Sequence, residues 1–530
     1  MRCPLRLFPA VAGSLLLLAK AEAGEPRPNF VFILADDLGY SDLGCYGGEL
    51  ATPNLDKLAR GGLRFTQFYN TARCWPSRAA LMTGCHAQAV RRDTVPGVKS
   101  GGSGIRPPWA PLFTEPLRKA GYRNYHSGKW HIDGQPLENG FDHSYEIGSG
   151  ENNYFKARGN TEDGLEARQT PNYYSTTAVA DHSIKSLREH ERLFPDKPFF
   201  LYLAFTAPHF PLQAPQSDIA KYQKKYLKGW NDVAATRHKR LVKLGIAKNP
   251  LPEMERQLGP PYDFPDAFEK LGPNEVGKPL PWTEMTPSQR EFQAGKMAVH
   301  AAMVDRMDRE IGRVVSQLKL MGAYENTVIF FASDNGASAE IMVRGDGHDR
   351  AAPQGSADTF LCLGPGWSSA ANTPFRRHKT WVHEGGISTP LIVHWPAGIR
   401  QKGGLRGTPS HLVDIKPTIL DLAGIPSADQ RANGAPEAPG RSLVQVLTQR
   451  DRDLHEFLWW EHEGNRALRA GDWKLVKDAK GAWELYDLSV DRGESRNVAA
   501  AHPEKVVRLE AIWNSEAARN RDLALDQKAR

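Results

Sequence analysis

Short apolar runs rich in Val, Ile, Phe and Leu recur along the chain, and each leads into polar residues able to do chemistry. Residues 30–35 end at Asp36-Asp37, 122–125 lead to Lys129 and His131, 199–205 lead to His209, and 328–332 lead to Asp334-Asn335. Unbroken apolar runs of this length suit strands covered on both faces, so these four predict a buried parallel sheet. Helical patterns lie between them. The clearest spans 292–321, where Met297, Ala301, Val304, Met307, Ile311, Val314 and Leu318 recur at helical spacing and Gly322 supplies a stop. Strands alternating with helices predict an α/β fold. Ligands of an open sheet of this kind bind beyond the carboxyl ends of its strands, so the polar clusters are expected to converge on one cleft.

The pattern changes twice. From 213 to 287 it gives way to a basic and then Pro-rich excursion containing Lys221, Lys224, Lys225, Lys228, His238, Lys239 and Arg240, read as a solvated face near the cleft rather than a binding patch. Later, a helical segment at 411–423 is followed by a Gly/Pro/Ala-rich linker at 424–440. Beyond about Asp451 hairpin signals take over: 466–470, a Gly471-Asp472 turn, 473–477, a further strand at 483–486, and a helix at 503–517. The expected organisation is a leader at 1–23, a large catalytic domain at 24–450 and a small antiparallel-sheet α+β domain at 451–530. A length of 530 residues suits two cores better than one.

Composition narrows the class. Apolar residues make up 40% and charged residues 24%, the balance of a folded soluble enzyme. The net charge of +7 is spread along the chain with no basic tail, which favours a small anionic substrate over nucleic acid. Arg2 and Arg6, an apolar stretch at 5–18 and Ala21-Glu22-Ala23 read as a cleavable signal peptide, predicting a periplasmic or secreted protein. No later stretch approaches ~20 uninterrupted apolar residues, so no stable membrane anchor is expected. Loss of the leader removes Cys3 and leaves Cys45, Cys74, Cys85 and Cys362, too few to staple a chain of this size. If one of them is consumed by modification, at most one intramolecular disulfide can form.

Two acidic pairs at strand ends, Asp36-Asp37 and Asp334-Asn335, form a hard-oxygen set suited to a divalent cation, calcium better than zinc, with magnesium the lesser alternative. One such pair alone would be read as a turn or cap; the second points to a metal centre. Cys74-Trp75-Pro76-Ser77-Arg78-Ala79-Ala80-Leu81-Met82-Thr83-Gly84 resembles the C-x-P-S-R-x-x-L-x-T-G signature of the sulfatase family. The resemblance is closest to bacterial arylsulfatases and extends from Pro28-Asn29-Phe30 to the segment ending at Arg466. It implies an alkaline-phosphatase-like mixed sheet sandwiched by helices, and hydrolysis of sulfate monoesters, whether aryl sulfates or sulfated carbohydrates. It further implies that Cys74 is oxidised by a formylglycine-generating or anaerobic sulfatase-maturating enzyme to formylglycine, whose hydrated aldehyde is the nucleophile. Asp36, Asp37, Asp334 and Asn335 become ligands of one calcium, with the modified Cys74 at the metal.

Ser127-Gly128-Lys129-Trp130-His131 resembles the family's G-K-W-H segment and Ala207-Pro208-His209 its A-P-H segment, while Lys379 precedes Glu384-Gly385-Gly386 at family spacing. The implied roles are Lys129 and Lys379 on the sulfate oxygens and Arg78, one helical turn from Cys74, holding the hydrate and offsetting the ligands' charge. His209, with Lys379, protonates the departing oxygen, and His131 takes a proton as sulfate is expelled. Two other readings stay open: a formylglycine-dependent phosphonate or phosphodiester hydrolase, and a non-catalytic sulfoglycan-binding protein should Cys74 stay a thiol. His348, His378, His383, Arg376, Arg377 and Trp460 to Glu463 stand outside the expected catalytic set. Specificity is expected in loops at 97–109, 147–168 and 345–367.

Overall fold

The computed structural model describes residues 27–148, 153–430 and 434–525; the leader expected at 1–23 lies outside them. The four apolar runs become four adjacent parallel strands, in the spatial order Thr327–Ser333, Asn29–Ala35, Phe199–Ala204 and Arg123–Lys129. They form the middle of an eleven-stranded sheet. Side chains alternate between its faces: Val31, Ile33 and Ala35 enter one apolar cluster, Phe30, Phe32 and Leu34 the other. Both faces are covered by helices, which explains why these strands are apolar throughout.

Sequence reading missed the strands that flank these four. Ser388–His394 runs antiparallel to both Thr327–Ser333 and Leu63–Tyr69, making the sheet mixed. It was hidden by Pro390, which ordinarily excludes a central strand. The sheet accommodates that proline with a bulge: the register shifts between Phe65 and Phe68 on the facing strand. The Tyr46 hydroxyl fills the irregularity, donating to the carbonyls of Phe65 at 2.8 Å and Leu391 at 2.9 Å.

The predicted long helix spans Pro287–Leu320 and starts earlier than its apolar pattern does. Its start is a capping box: Thr286 Oγ1 accepts the Gln289 N–H at 3.2 Å and Gln289 Oε1 accepts the Thr286 N–H at 3.0 Å. The basic excursion carries helices of its own, the longest being Trp230–Lys243 and Pro265–Leu271. Lys224, Lys228 and Lys239 are exposed, whereas Arg237 among them is buried against Asp42 and Glu49 at 2.7 and 2.8 Å.

A separate antiparallel sheet, Leu458–His462, Asn465–Ala470, Trp473–Lys477 and Glu484–Asp487, follows the linker. The terminal helix, Pro503–Leu525, is longer than its predicted span and covers one face through Leu509 and Trp513. The other face buries Trp460, Ala467, Val476 and Tyr486 against Tyr69, Ala72, Val382 and Ile387 of the larger unit. Beside this apolar contact lies a buried ion network: Lys474 Nζ is 3.0 Å from Glu384 and 2.8 Å from Glu494, and Arg492 reaches Glu384 at 3.0 Å. Lys474→Met would leave the buried Glu494 carboxylate without its cation and Glu384 with Arg492 alone, so we expect a loss of about 3–5 kcal/mol of stability, read as a lower urea midpoint. A shift worth under about 1 kcal/mol would mean that solvent reaches the network.

Cys45, Cys74, Cys85 and Cys362 are all free thiols. Among the described residues no helix is long and apolar enough to cross a membrane.

Candidate functional site

Strand register builds the site. Ala35 pairs with Ser333, so Asp36-Asp37 and Asp334-Asn335 leave adjacent strand ends, about 4.8 Å apart in the sheet. Gly128 pairs with Ala204 and brings Lys129 beside the turn that carries His209. A Cβ at Gly128, whose φ is +120°, would overlap the Ala204 carbonyl, so this close approach requires glycine. Cys74 is the first residue of the helix Cys74–Thr83, at its positive end, and Arg78 lies one turn along. Four non-glycine residues at or beside site positions hold left-handed backbone: Asp37, Ala72, His131 and Thr380, with φ of 65°, 64°, 57° and 85°. The β-branched Thr380 is the most strained of these, and its N–H is held by the Ala72 carbonyl at 2.8 Å.

A cleft of about 390 Å³ is lined by Asp36, Cys74, Lys129, His131, His209 and Lys379. Arg78 is wholly buried beneath it, donating to Asp334 Oδ2 from Nε at 3.0 Å and Nη2 at 2.7 Å, and to the Lys129 carbonyl at 2.7 Å. Its Nη2 also lies 3.5 Å from Asp36. These contacts make Arg78 a bridge between the two acidic strand ends. Lys129 Nζ is 2.5 Å from Asp36 Oδ2, and Lys379 Nζ is 2.8 Å from Asp37 and 3.4 Å from Glu340. His209 Nδ1 donates to the Phe210 carbonyl at 2.6 Å, and its Nε2 faces Asp37 at 3.7 Å.

Crowding sets protonation. Burial alone would push Asp36 up, but Lys129, His209, Arg78 and Lys379 together hold its carboxyl well below the usual carboxylate range. Burial, and then the Asp36 charge beside it, push Asp334 well above that range. Burial, reinforced by Lys129 and Arg78, pushes His131 well down. Burial also takes His209 down to about 4, against the opposing pull of Asp37. Both imidazoles are therefore neutral near pH 7.

Asp36 Oδ1, Asp334 Oδ1 and Asn335 Oδ1 are buried with no hydrogen-bond donor. Asn335 Nδ2 donates to Asp37 Oδ1 at 2.6 Å and to the Gly336 carbonyl at 2.9 Å, which fixes the orientation of its amide. Orphaned oxygens from two adjacent strand ends fit a hard divalent cation, which would also let both carboxylates ionise. Ligand atoms of Asp36, Asp37 and His209 lie within 4.8 Å of one another, bringing that histidine to the edge of the same cluster.

The cleft also contains residues that sequence reasoning passed over: Arg73, Trp75, Tyr154, Glu340, Arg344 and Phe360. Arg73 and Trp75 flank Cys74, so proximity could have flagged them, and Tyr154 and Phe360 fall in loops expected to set specificity; Glu340 and Arg344 carry no periodic or motif signal. Arg73 is clamped between the Trp75 and Tyr262 rings at 5.1 and 5.2 Å and pairs with Glu340 at 3.2 Å. Trp75 meets His131 edge-on at 5.8 Å and His462 of the small sheet at 5.7 Å, while His462 is held by Asp93 at 3.0 Å. None of His348, His378, His383, Arg376 and Arg377 lines the cleft. Arg376 instead binds Glu255, His378 binds Ser368, and Trp460 donates to the Asn70 carbonyl inside the core.

Residues 28–425 match the family model described as Sulfatase, and residues 376–515 match one described as N-sulphoglucosamine sulphohydrolase, C-terminal. The chain is 33% identical to an uncharacterized sulfatase of Schizosaccharomyces pombe, covering 93% of this chain and 94% of the relative. It is 31% identical to an arylsulfatase of Klebsiella aerogenes over 78% of this chain and 91% of that one. Among solved structures, Ps i-CgsB in complex with k-i-k-neocarrahexaose superposes with a TM-score of 0.66 at 24% identity, covering 93% of each chain.

Proposed function

Since this chain belongs to the sulfatase family and hydrolyses sulfuric esters, we propose that it carries out that reaction with Cys74 as formylglycine and calcium held by Asp36, Asp37, Asp334 and Asn335. The observation that carries this reading is the set of orphaned buried oxygens beside one side chain ringed by Lys129, Lys379 and Arg78. When present, the formylglycine hydrate supplies a hydroxyl nucleophile for sulfur and a second hydroxyl by which sulfate is released, and the cation acidifies the first.

The chain's own residues do the rest. Lys129 and Lys379 bind the sulfate oxygens, where negative charge shifts as the ester bond breaks. Arg78 holds the two acidic strand ends together and offsets their charge. His209 protonates the departing oxygen; its Nδ1–H is fixed on the Phe210 carbonyl, so the proton transferred is one gained at Nε2. The negative charge of an arriving ester favours that imidazolium, and Lys379 assists at the same oxygen. His131, neutral and half-buried with its Nδ1 unpartnered, takes the proton released as sulfate is expelled.

The substrate in this reading is a small aryl sulfate or a terminal sulfated sugar, which the aromatic walls Trp75, Tyr154, Phe210 and Phe360 suit. A similar fold holding an oligosaccharide supports the sugar. The reading includes export to the periplasm or exterior through the leader at 1–23, and a maturating enzyme as obligatory partner. One experiment tests it. Enzyme stripped by chelator and reloaded should turn over p-nitrophenyl sulfate in preference to a phenylphosphonate monoester, with calcium restoring more activity than magnesium. Saturation at ~100 times the dissociation constant should add about 2.7 kcal/mol of stability. A preference for the phosphonate by orders of magnitude would transfer the chain to phosphonate hydrolysis, and full activity without any divalent ion would sink the metal assignment.

A further inference from the structure

Among the described residues the cations in and beneath the cleft are engaged, with one exception. Lys129 and Lys379, paired with Asp36 and Asp37, are the groups assigned to the sulfate being cleaved, while Arg78 is spent on Asp334 and the Lys129 carbonyl and Arg73 on Glu340 and Thr380. Arg344 lines the same cleft, exposed at its mouth, with its guanidinium over the Phe264 ring at 5.5 Å. Among the described residues none of its side-chain N–H groups has a hydrogen-bond or carboxylate partner. The acids closest to it in sequence are committed elsewhere. Glu340 pairs with Arg73 and Lys379, and Asp346 pairs with Lys156 at 2.6 Å and Arg158 at 2.5 Å.

Those last two pairs also organise the mouth. They tie the loop carrying Lys156 and Arg158 to the loop that follows Arg344, and Asn153 Nδ2 donates to the Ala357 carbonyl at 2.5 Å between the same two segments. Gly148, which lines the cleft, donates its N–H to Asn160 Oδ1 at 3.0 Å. Arg344 thus stands on a cross-linked rim, its flat face supported by an aromatic ring and its five donors unused, the form in which a guanidinium best receives an oxyanion. The floor of the cleft already accounts for the sulfate to be cleaved.

We infer that Arg344 is the anchor of a second anion subsite, and that the preferred substrate carries another oxyanion, a carboxylate or a further sulfate, beside the ester that is hydrolysed. This rests on the sulfatase reading above and specifies its substrate class as polyanionic sugars rather than singly charged aryl sulfates. Selectivity then comes from one charge-assisted contact at the mouth, separate from those made to the sulfate being cleaved.

The test compares p-nitrophenyl sulfate, a monosulfated hexosamine, its disulfated counterpart and a sulfated disaccharide bearing a uronic acid. The wild-type enzyme should have its highest kcat/KM on one of the doubly charged sugars, and added salt should reduce that preference. Arg344→Gln should lose roughly ten- to hundred-fold on that substrate, mostly in KM, and no more than a few-fold on p-nitrophenyl sulfate. Arg344→Lys, which keeps the charge without the fork, should recover part of the loss. Whichever doubly charged sugar responds identifies the second group as sulfate or carboxylate. Equal losses on all four compounds, or a wild-type enzyme indifferent to the second charge, would overturn the subsite. Failure of the wild-type enzyme to hydrolyse any of them would instead overturn the sulfatase reading.

Discussion

Cys74→Ala is expected to abolish turnover, lowering kcat/KM on p-nitrophenyl sulfate by on the order of 10⁵-fold or more while leaving the fold intact. The side chain is small, and its loss from the cleft floor should cost no more than about 1 kcal/mol in a urea titration. The reaction loses much more, because every cation of the site is arranged around an atom that alanine does not have. Cys74→Ser should do no better and should retain covalently bound sulfate, visible as added mass on the tryptic peptide ending at Arg78. A serine sulfate lacks the second hydroxyl through which an aldehyde hydrate discharges its sulfate. Wild-type turnover by the alanine variant would falsify the assignment of the nucleophile and, with it, the role of everything around it.

The second large effect belongs to Arg78. Its guanidinium is wholly buried and makes three hydrogen bonds, two to Asp334 Oδ2 and one to the Lys129 carbonyl. Arg78→Leu preserves bulk but leaves the Asp334 carboxylate and a buried carbonyl without donors. A buried pair broken on one side costs about 3–5 kcal/mol, so the urea midpoint should fall markedly. Activity should fall by roughly 10³-fold, since Asp334 and Lys129 lose the group that sets their separation. Arg78→Lys should recover charge but not the bridge, and should remain nearer to the leucine variant than to wild type. A divalent ion that binds among the carboxylates would restore part of the stability and little of the rate. Retention of stability to within about 1 kcal/mol and of activity to within ten-fold would show that solvent, not Arg78, neutralises these acids.

What the sequence discloses here depends on whether a residue's reason for being there is local. The four strand runs end in functional groups because a buried parallel strand must be apolar until it leaves the sheet, so Asp36, Lys129, His209 and Asp334 could be read from pattern and motif together. Ser388–His394 could not, since Pro390 argues against a central strand and the compensating bulge lies on a strand more than 300 residues earlier. The Thr286–Gln289 box was legible in principle but sits within a Pro-rich run that masked it. Arg237 reads as one more cation of a basic excursion, and only its distant partners Asp42 and Glu49 reveal it as a buried strut. Glu384, carried by a motif near Lys379, is placed instead in the ion network that joins the two sheets. Arg73, Glu340 and Arg344 reach the cleft through loop geometry, for which a single sequence has no period to read.

The depth of Cys74 has a consequence for the protein's life history. A thiol only 4% exposed, at the base of a narrow cleft, is within reach of a small ester but not of another enzyme's catalytic groups. On the proposed reading, in which Cys74 becomes formylglycine, oxidation to the aldehyde has to happen on the nascent or unfolded polypeptide, before residues 74–83 coil into their helix. Conversion and folding then compete in time, and a molecule that folds first is sealed in an inert form. If so, the specific activity of a preparation should follow the outcome of that race, and slowing the folding of the chain should raise it.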